Sequence, residues 1–170
     1  MQKYDLVIIG LGISGISLAK EASKNNINFL VLEKNKTFGG VWIDAPYYSS
    51  LQTHKDYYGF NDNKIPNSYS NYPSKQEVLS YLKTIVNEYN ILEKTLFNYS
   101  VESVKYDSKN LVWVINDEIA TKFVGICSGY LTIPKTNICS EEAPASRAAS
   151  RMEVSMRIIE LKIGTTINKV

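Results

Sequence analysis

Cysteine and histidine are scarce in this 170-residue chain: the cysteines are Cys127 and Cys139, and the one histidine is His54. Two cysteines are too few to staple a small fold, and their spacing suits no metal site, which excludes a disulfide scaffold and makes a zinc centre untenable. No apolar run reaches the roughly 18 residues needed to span a bilayer, so no membrane span is expected. The apolar stretch after Lys3 is broken by Asp5 and by Gly10, Gly12 and Gly15, which argues against a secretory signal. The expected location is therefore cytoplasmic, and the sequons Asn35-Lys36-Thr37 and Asn98-Tyr99-Ser100 read as chance matches. An excess of one charge is also missing. The net charge of +2 gives no argument for nucleic acid or an anionic membrane surface as partner.

Arginine is absent from the first 146 residues; Arg147, Arg151 and Arg157 are all there are. Tyrosine shows the reverse, with all 12 placed by Tyr130. Composition shifts at about the same point, from a body rich in Lys, Asn, Ile and Tyr to an Ala/Ser/Glu-rich stretch from Cys139 to Ser150. The expected division is a body over 1–137 and a divergent tail of unknown role over 138–170. Two origins for the tail stay open: a polar linker with a terminal strand or helix, or sequence foreign to the body.

What is present is an apolar content of 44%, ordinary for a globular protein, in an order that reads as α/β. Tyr4–Gly10 is a short run rich in β-branched residues, hence a buried strand. Ser14–Lys24 carries apolar residues near helical spacing, and Asn28–Glu33 is a second buried strand. A strand, helix and parallel strand within about 30 residues form a βαβ unit. Phe38–Pro73 has no sustained period and reads as a long loop region. Ser74-Lys75-Gln76-Glu77 is a capping box that opens an amphipathic helix to Tyr89. Val101–Tyr106 and Leu111–Ile115 alternate across a turn as a hairpin, and Phe123–Ser128 is a last buried strand. The fold class expected is a Rossmann-like parallel sheet with an antiparallel β excursion.

The chemistry sits in the glycines. Gly10-Leu11-Gly12-Ile13-Ser14-Gly15 is G-x-G-x-x-G, and it follows a strand and opens a helix, the context the motif requires. Gly10 permits the tight turn, Gly12 lets a pyrophosphate approach the backbone, and Gly15 lets the helix pack on the strand. The helix N-terminus then offers free N–H groups and a positive dipole end to the phosphates. Glu33 ends the second strand, where a carboxylate accepts ribose hydroxyls and repels a 2′-phosphate. FAD or NAD is therefore expected there rather than NADP.

After Glu33 the run Lys34-Asn-Lys-Thr-Phe-Gly39-Gly40-Val41-Trp42 completes E-x5-G-G-x-W. This resembles the flavin-containing monooxygenases, and more broadly the class B flavoprotein monooxygenases. Leu51-Gln52-Thr53-His54-Lys55 with Phe60-Asn61-Asp62 is similar to that family's T-N-x-x-K and F-S-D segments. Phe97–Val101 and the strand ending Cys127-Ser128-Gly129, with Pro134 beyond, also follow the family's order. The resemblance covers roughly residues 4–137. It implies FAD as the cofactor, held by Gly10, Leu11, Gly12, Ile13, Ser14, Gly15, Glu33, Lys34, Gly40, Val41, Trp42, Gln52, Thr53, Val101, Ser128 and Gly129. Gln52 stands where many members carry an asparagine against the flavin ring. Cys127 reads as a small core residue and His54 as a solvent-exposed one.

The resemblance further implies an NADPH- and O2-dependent oxygenation of a soft nitrogen or sulfur, with the cofactor carrying the difficult chemistry. It assigns no catalytic side chain. The family's second G-x-G-x-x-G, for NADPH, does not occur here. The chain is thus expected to be the FAD-binding portion of such an oxidoreductase, truncated, its NADPH site missing or supplied by a partner chain. Two other readings remain open. One is a non-catalytic nucleotide-binding chain. The other is a different two-dinucleotide flavoprotein, although no C-x-x-C or C-x4-C pair is present.

Overall fold

The computed structural model describes residues 2–129. The proposed boundary near Asn137, the tail beyond it, Tyr130, Pro134 and Cys139 lie outside the described residues.

The βαβ unit forms as the sequence predicts. Strand β1 (Gln2–Ile9) leads through helix α1 (Ile13–Lys24) to strand β2 (Phe29–Leu32), which pairs in parallel with β1 in the register Val7 to Leu30 and Ile9 to Leu32. All four residues of β2 are buried, as expected of a parallel strand covered on both faces. The region 38–73 holds a single-turn helix, α2 (Val41–Asp44), a 3₁₀ turn at Lys55–Tyr57, and isolated antiparallel bridges of Ser50 with Ser74 and Phe60 with Asn63. Helix α3 (Lys75–Glu88) starts on the capping box: Ser74 Oγ accepts from Glu77 N–H, and Glu77 Oε2 accepts from Ser74 N–H at 2.8 Å. Ser70 N–H donates to the other oxygen of Glu77 at 2.8 Å. These backbone donors, Ser74 first, hold the Glu77 carboxyl down at about 2.

Strand β3 (Thr95–Leu96) adds in parallel beside β2. With two residues it carries no periodic signal, and the sequence reading did not contain it. Strands β4 (Val104–Asp107) and β5 (Val112–Ile115) make the expected hairpin, and β6 (Ile119–Ile126) returns to the parallel side of β1. The sheet order is β3-β2-β1-β6-β5-β4, parallel through its first four members and antiparallel through β6-β5-β4. This is the doubly natured sheet expected.

Two expectations need correction. β4 starts at Val104, so Val101 precedes it in irregular chain. β6 starts at Ile119, and its second half is not a buried strand: Phe123 is 59% and Ile126 67% exposed. The reason is pairing. β1 runs along all of β6, whereas β5 stops at the Trp113–Thr121 pair. From Lys122 onward the far side of β6 has no strand among the described residues.

The larger core lies between the sheet and helices α1 and α3, built on Ile8, Ile16, Val31, Val78, Leu82 and Ile85. The opposite face carries a smaller cluster of Val7, Leu30, Leu32, Ile115 and Ile119. Burying one such side chain is worth about 1.5–3 kcal/mol. The long 38–73 segment is anchored on the larger core through Leu51 and Ile65. It is also clamped to α1 by charge. Asp62 pairs with Lys20 and, at 2.6 Å, with Lys24, and these bonds, Lys20 first, hold the Asp62 carboxyl well below the usual carboxylate range. Lys20 is itself buried, between the rings of Phe60 and Tyr89.

Candidate functional site

The glycine loop joins the end of β1 to the start of α1, at the edge where β2 and β6 also end. Gly10 has φ +96°, and a Cβ there would lie 2.6 Å from the carbonyl oxygen of Cys127, so both the turn and the neighbouring strand demand glycine. At Gly15 a Cβ would lie 1.9 Å from the carbonyl oxygen of Gly10. The helix therefore rests directly on the loop that precedes it, as the motif predicts.

The first intrahelical bond of α1 runs from Ile16 N–H to Gly12 O at 2.9 Å, and no side chain caps the helix. The N–H groups of Ile13, Ser14 and Gly15 consequently have no acceptor within the helix. An uncapped N-terminus opening from a glycine loop fits an anion, and the residues present fit the pyrophosphate of a dinucleotide.

Leu11 is fully buried, and both of its backbone groups are already engaged. Its N–H donates to Glu33 Oε2 at 2.6 Å, and its carbonyl accepts from Gly39 N–H at 2.9 Å. Glu33 is 4% exposed, with its other oxygen accepting from Asn35 N–H at 2.9 Å. Glu33 thus lies against the glycine loop.

The second glycine pair packs on the first: Gly40 has φ +56°, and a Cβ there would lie 2.9 Å from Gly12 Cα. Gly39, not among the residues selected from the sequence, contributes the N–H that holds Leu11. The G-G doublet was its signal.

Trp42 lies on α2, half-buried, and its Nε1–H donates to Tyr58 Oη at 2.8 Å. Tyr58 was missed, since an aromatic 16 residues away gives no sequence signal. Burial pushes its phenol up to about 12, against the opposing effect of the Trp42 bond. Val41 and Lys34 are exposed. Asn98 N–H donates to Asn35 O at 3.1 Å and Tyr99 N–H to Glu33 O at 3.0 Å, so the segment carrying half-buried Val101 runs past the end of β2. Ser128 and Gly129 follow β6 and are exposed; the Ser128 Cα would be 3.2 Å from a Cβ on Gly10.

Gln52 and Thr53 are exposed as well, but the bonds around them lead elsewhere. Leu51 N–H donates to Pro73 O at 2.8 Å and Lys55 N–H to Asn71 O at 2.9 Å. Lys55 is buried, with Nζ on the carbonyls of Asn67 and Tyr69, a structural use of the lysine in that segment. His54 is partly covered rather than open, edge-on to Tyr72 and 3.2 Å from Asp56. Cys127 is a half-buried residue beside the loop, its thiol pushed up by burial, consistent with a packing role.

Among the described residues no group of His, Cys, Asp and Glu could hold a metal ion, and no helix is long and apolar enough to cross a membrane.

Comparison with known proteins adds the following. The pyridine nucleotide-disulphide oxidoreductase family matches residues 7–156. "Probable FAD-binding monooxygenase AlmA" of an Acinetobacter species is 34% identical over 140 residues, covering 76% of this chain and 28% of that protein. "Flavin-containing monooxygenase FMO GS-OX2" of Arabidopsis thaliana is 31% identical over 164 residues, covering 76% of this chain and 36% of that protein. A solved structure of an oxidized steroid monooxygenase bound to NADP superposes with a TM-score of 0.73 at 23% identity, over 79% of this chain and 28% of its own. The chain therefore spans about a third or less of these relatives. The likenesses bear out the family resemblance and the α/β fold read from the sequence.

Proposed function

The chain belongs to the pyridine nucleotide-disulphide oxidoreductase family, and on that footing we propose that it is the FAD-binding part of a flavin-containing monooxygenase. The observation that carries the reading is buried Glu33, whose carboxylate meets the glycine loop beside an uncapped helix N-terminus. One end of this arrangement suits the ribose of an adenosine and the other its pyrophosphate. In this reading Gly12, Ile13, Ser14 and Gly15 receive the phosphates, with Gly10 and Leu11 shaping the loop. Glu33 and Lys34 border the adenosine, with Val101 on its adenine side. Gly40, Val41 and Trp42, then Ser128 and Gly129, border the middle of the cofactor, and Gln52 and Thr53 its ring.

FAD supplies the redox and oxygen chemistry when bound. The chain's part is to bind and orient it, each hydrogen bond from Glu33 being worth roughly 1.5–3 kcal/mol. Titration of the purified chain with FAD, NAD and NADP, followed by flavin fluorescence and calorimetry, tests the assignment. FAD should bind most tightly; tighter binding of NADP would overturn it, because Glu33 repels a 2′-phosphate.

The whole enzyme would use NADPH and O2 to oxygenate a nitrogen or sulfur. These 170 residues contain a single G-x-G-x-x-G. We therefore place the nicotinamide site on sequence outside them, in a longer chain or on a cytoplasmic partner chain. FAD-loaded chain mixed anaerobically with NADPH should show no flavin reduction above the rate of free FAD. Faster reduction would place a nicotinamide site in this chain. The division into a 1–137 body and a 138–170 tail rests on composition. First proteolytic cleavage between Ser140 and Arg151 would support it, and a cut within the body first would not.

A further inference from the structure

The acid that ends β2 is expected to wait for a ribose. Here it is already occupied. Both oxygens of Glu33 accept backbone N–H groups, Leu11 at 2.6 Å and Asn35 at 2.9 Å, and the side chain is buried. The Leu11 bond reaches across 22 residues into the middle of the glycine loop. The carbonyl of the same residue is held by Gly39. The bond from Leu11 N–H holds the Gly10–Leu11 peptide plane and the bond to its carbonyl holds the Leu11–Gly12 plane, so both planes flanking Leu11 are tied down just before the first free N–H groups of α1.

From this geometry we propose that Glu33 is a positioning residue for the phosphate loop. Its carboxylate holds the loop in its binding shape in the free protein, and pyrophosphate binding depends on it independently of any ribose contact. Each carboxylate oxygen has two acceptor directions, so the bonds to Leu11 and Asn35 leave one on each for ribose hydroxyls. The two roles are compatible on one carboxylate. Fixing the loop beforehand spares the ligand the cost of ordering it.

The primary test needs no ligand. Amide hydrogen exchange is measured in the ligand-free chain for wild type, Glu33→Ala and Glu33→Gln, with Val31 as the control for an intact sheet. Glu33→Ala should speed exchange at both Leu11 and Asn35 by about tenfold or more, through local opening of the loop. Glu33→Gln keeps one acceptor oxygen for two donors, so it should speed exchange at one of the two sites. Unchanged exchange at both sites in a folded variant overturns the proposal. If Glu33→Ala loses protection at Val31, Glu33→Gln decides.

A second arm rests on the nucleotide reading above and uses ADP and 2′,3′-dideoxy-ADP as probes. The dideoxy compound offers no hydroxyl to Glu33, yet Glu33→Ala should still bind it about tenfold more weakly than wild type. Equal or tighter binding of the dideoxy probe by Glu33→Ala overturns the proposal. Failure of wild type to bind ADP at all would refute the nucleotide reading alone, with the exchange data still deciding the role of Glu33.

Discussion

The two ends of the candidate site are built to different degrees. At the nucleotide end the parts are held by close backbone packing and by one buried carboxylate. Gly15 lies on Gly10, Gly40 on Gly12, Leu11 is tied to Glu33 and Gly39, and all of this rides on the parallel pair β1 and β2. At the ring end the pieces are side chains on irregular chain. Gln52 and Thr53, proposed to border the ring, are exposed. A dinucleotide cradle is thus a local product of some 40 residues, whereas a surface for the flavin ring draws on parts of the fold far apart in sequence.

Substitutions can break this contrast. The largest effect should come from Gly15→Ala, which drives a methyl into the Gly10 carbonyl where only backbone could yield. Overpacking of this kind costs about 1–3 kcal/mol and more where nothing can relax, so the melting temperature should fall by about 10 °C or the cooperative transition vanish. A thermal melt matching wild type would mean that the loop is softer than its geometry. Gly12→Ala should behave in the opposite way. Its backbone is ordinary, with φ −81°, and its Cβ would meet Gly40 Cα at a comfortable 3.5 Å. It should melt like wild type but bind FAD about a hundredfold more weakly, by crowding the phosphates out of two or more charge-assisted bonds. Retained FAD affinity in calorimetry would place the pyrophosphate elsewhere.

A third measurement concerns the scaffold shared by both ends. The Glu77 carboxyl titrates at about 2 in the folded chain, below the ordinary value of 4.5 that it recovers on unfolding. Its contribution is therefore complete above about pH 4.5 and is lost as the pH falls towards 2. Denaturant unfolding across that window should show falling stability, and Glu77→Gln should flatten the slope. An unchanged slope would remove Glu77 from the acid response. The smallest effect is expected at the ring end. Gln52→Ala and Thr53→Ala alter exposed side chains, so the free energies of FAD binding and of unfolding should each stay within about 0.5 kcal/mol of wild type. A large loss in either would show that the ring end is already formed in this chain.

The same contrast governed what the sequence could disclose. β1, α1 and β2 were readable because a parallel strand buried on both faces is an uninterrupted apolar run, and the glycine motif marks its own turn. The capping box at Ser74 and Glu77 was readable because its partners are three residues apart. β3 was not, being two residues paired by register alone. The early start of β6 was hidden because Thr121 and Lys122 are polar; Thr121 is buried, with Oγ1 donating to Phe123 O at 3.0 Å. The clamp of Asp62 on Lys20 and Lys24 spans about 40 residues of sequence, and no local pattern announces it. Nor did the doublet Gly39-Gly40 reveal that its partner was the first glycine motif, because a demand for glycine looks the same whether a ligand or another stretch of backbone presses against it.

The contact of Gly40 with Gly12 also sets the smallest unit in which the cradle could be transplanted. A graft of residues 2–33 into another parallel sheet would carry the fingerprint and its acid. It would leave the Leu11 carbonyl without the Gly39 N–H and strip the cover from Gly12. Extending the graft through Trp42 restores both. The module border thus falls after the second glycine pair, and recombination between relatives should tolerate a crossover beyond Trp42 better than one between Glu33 and Gly39.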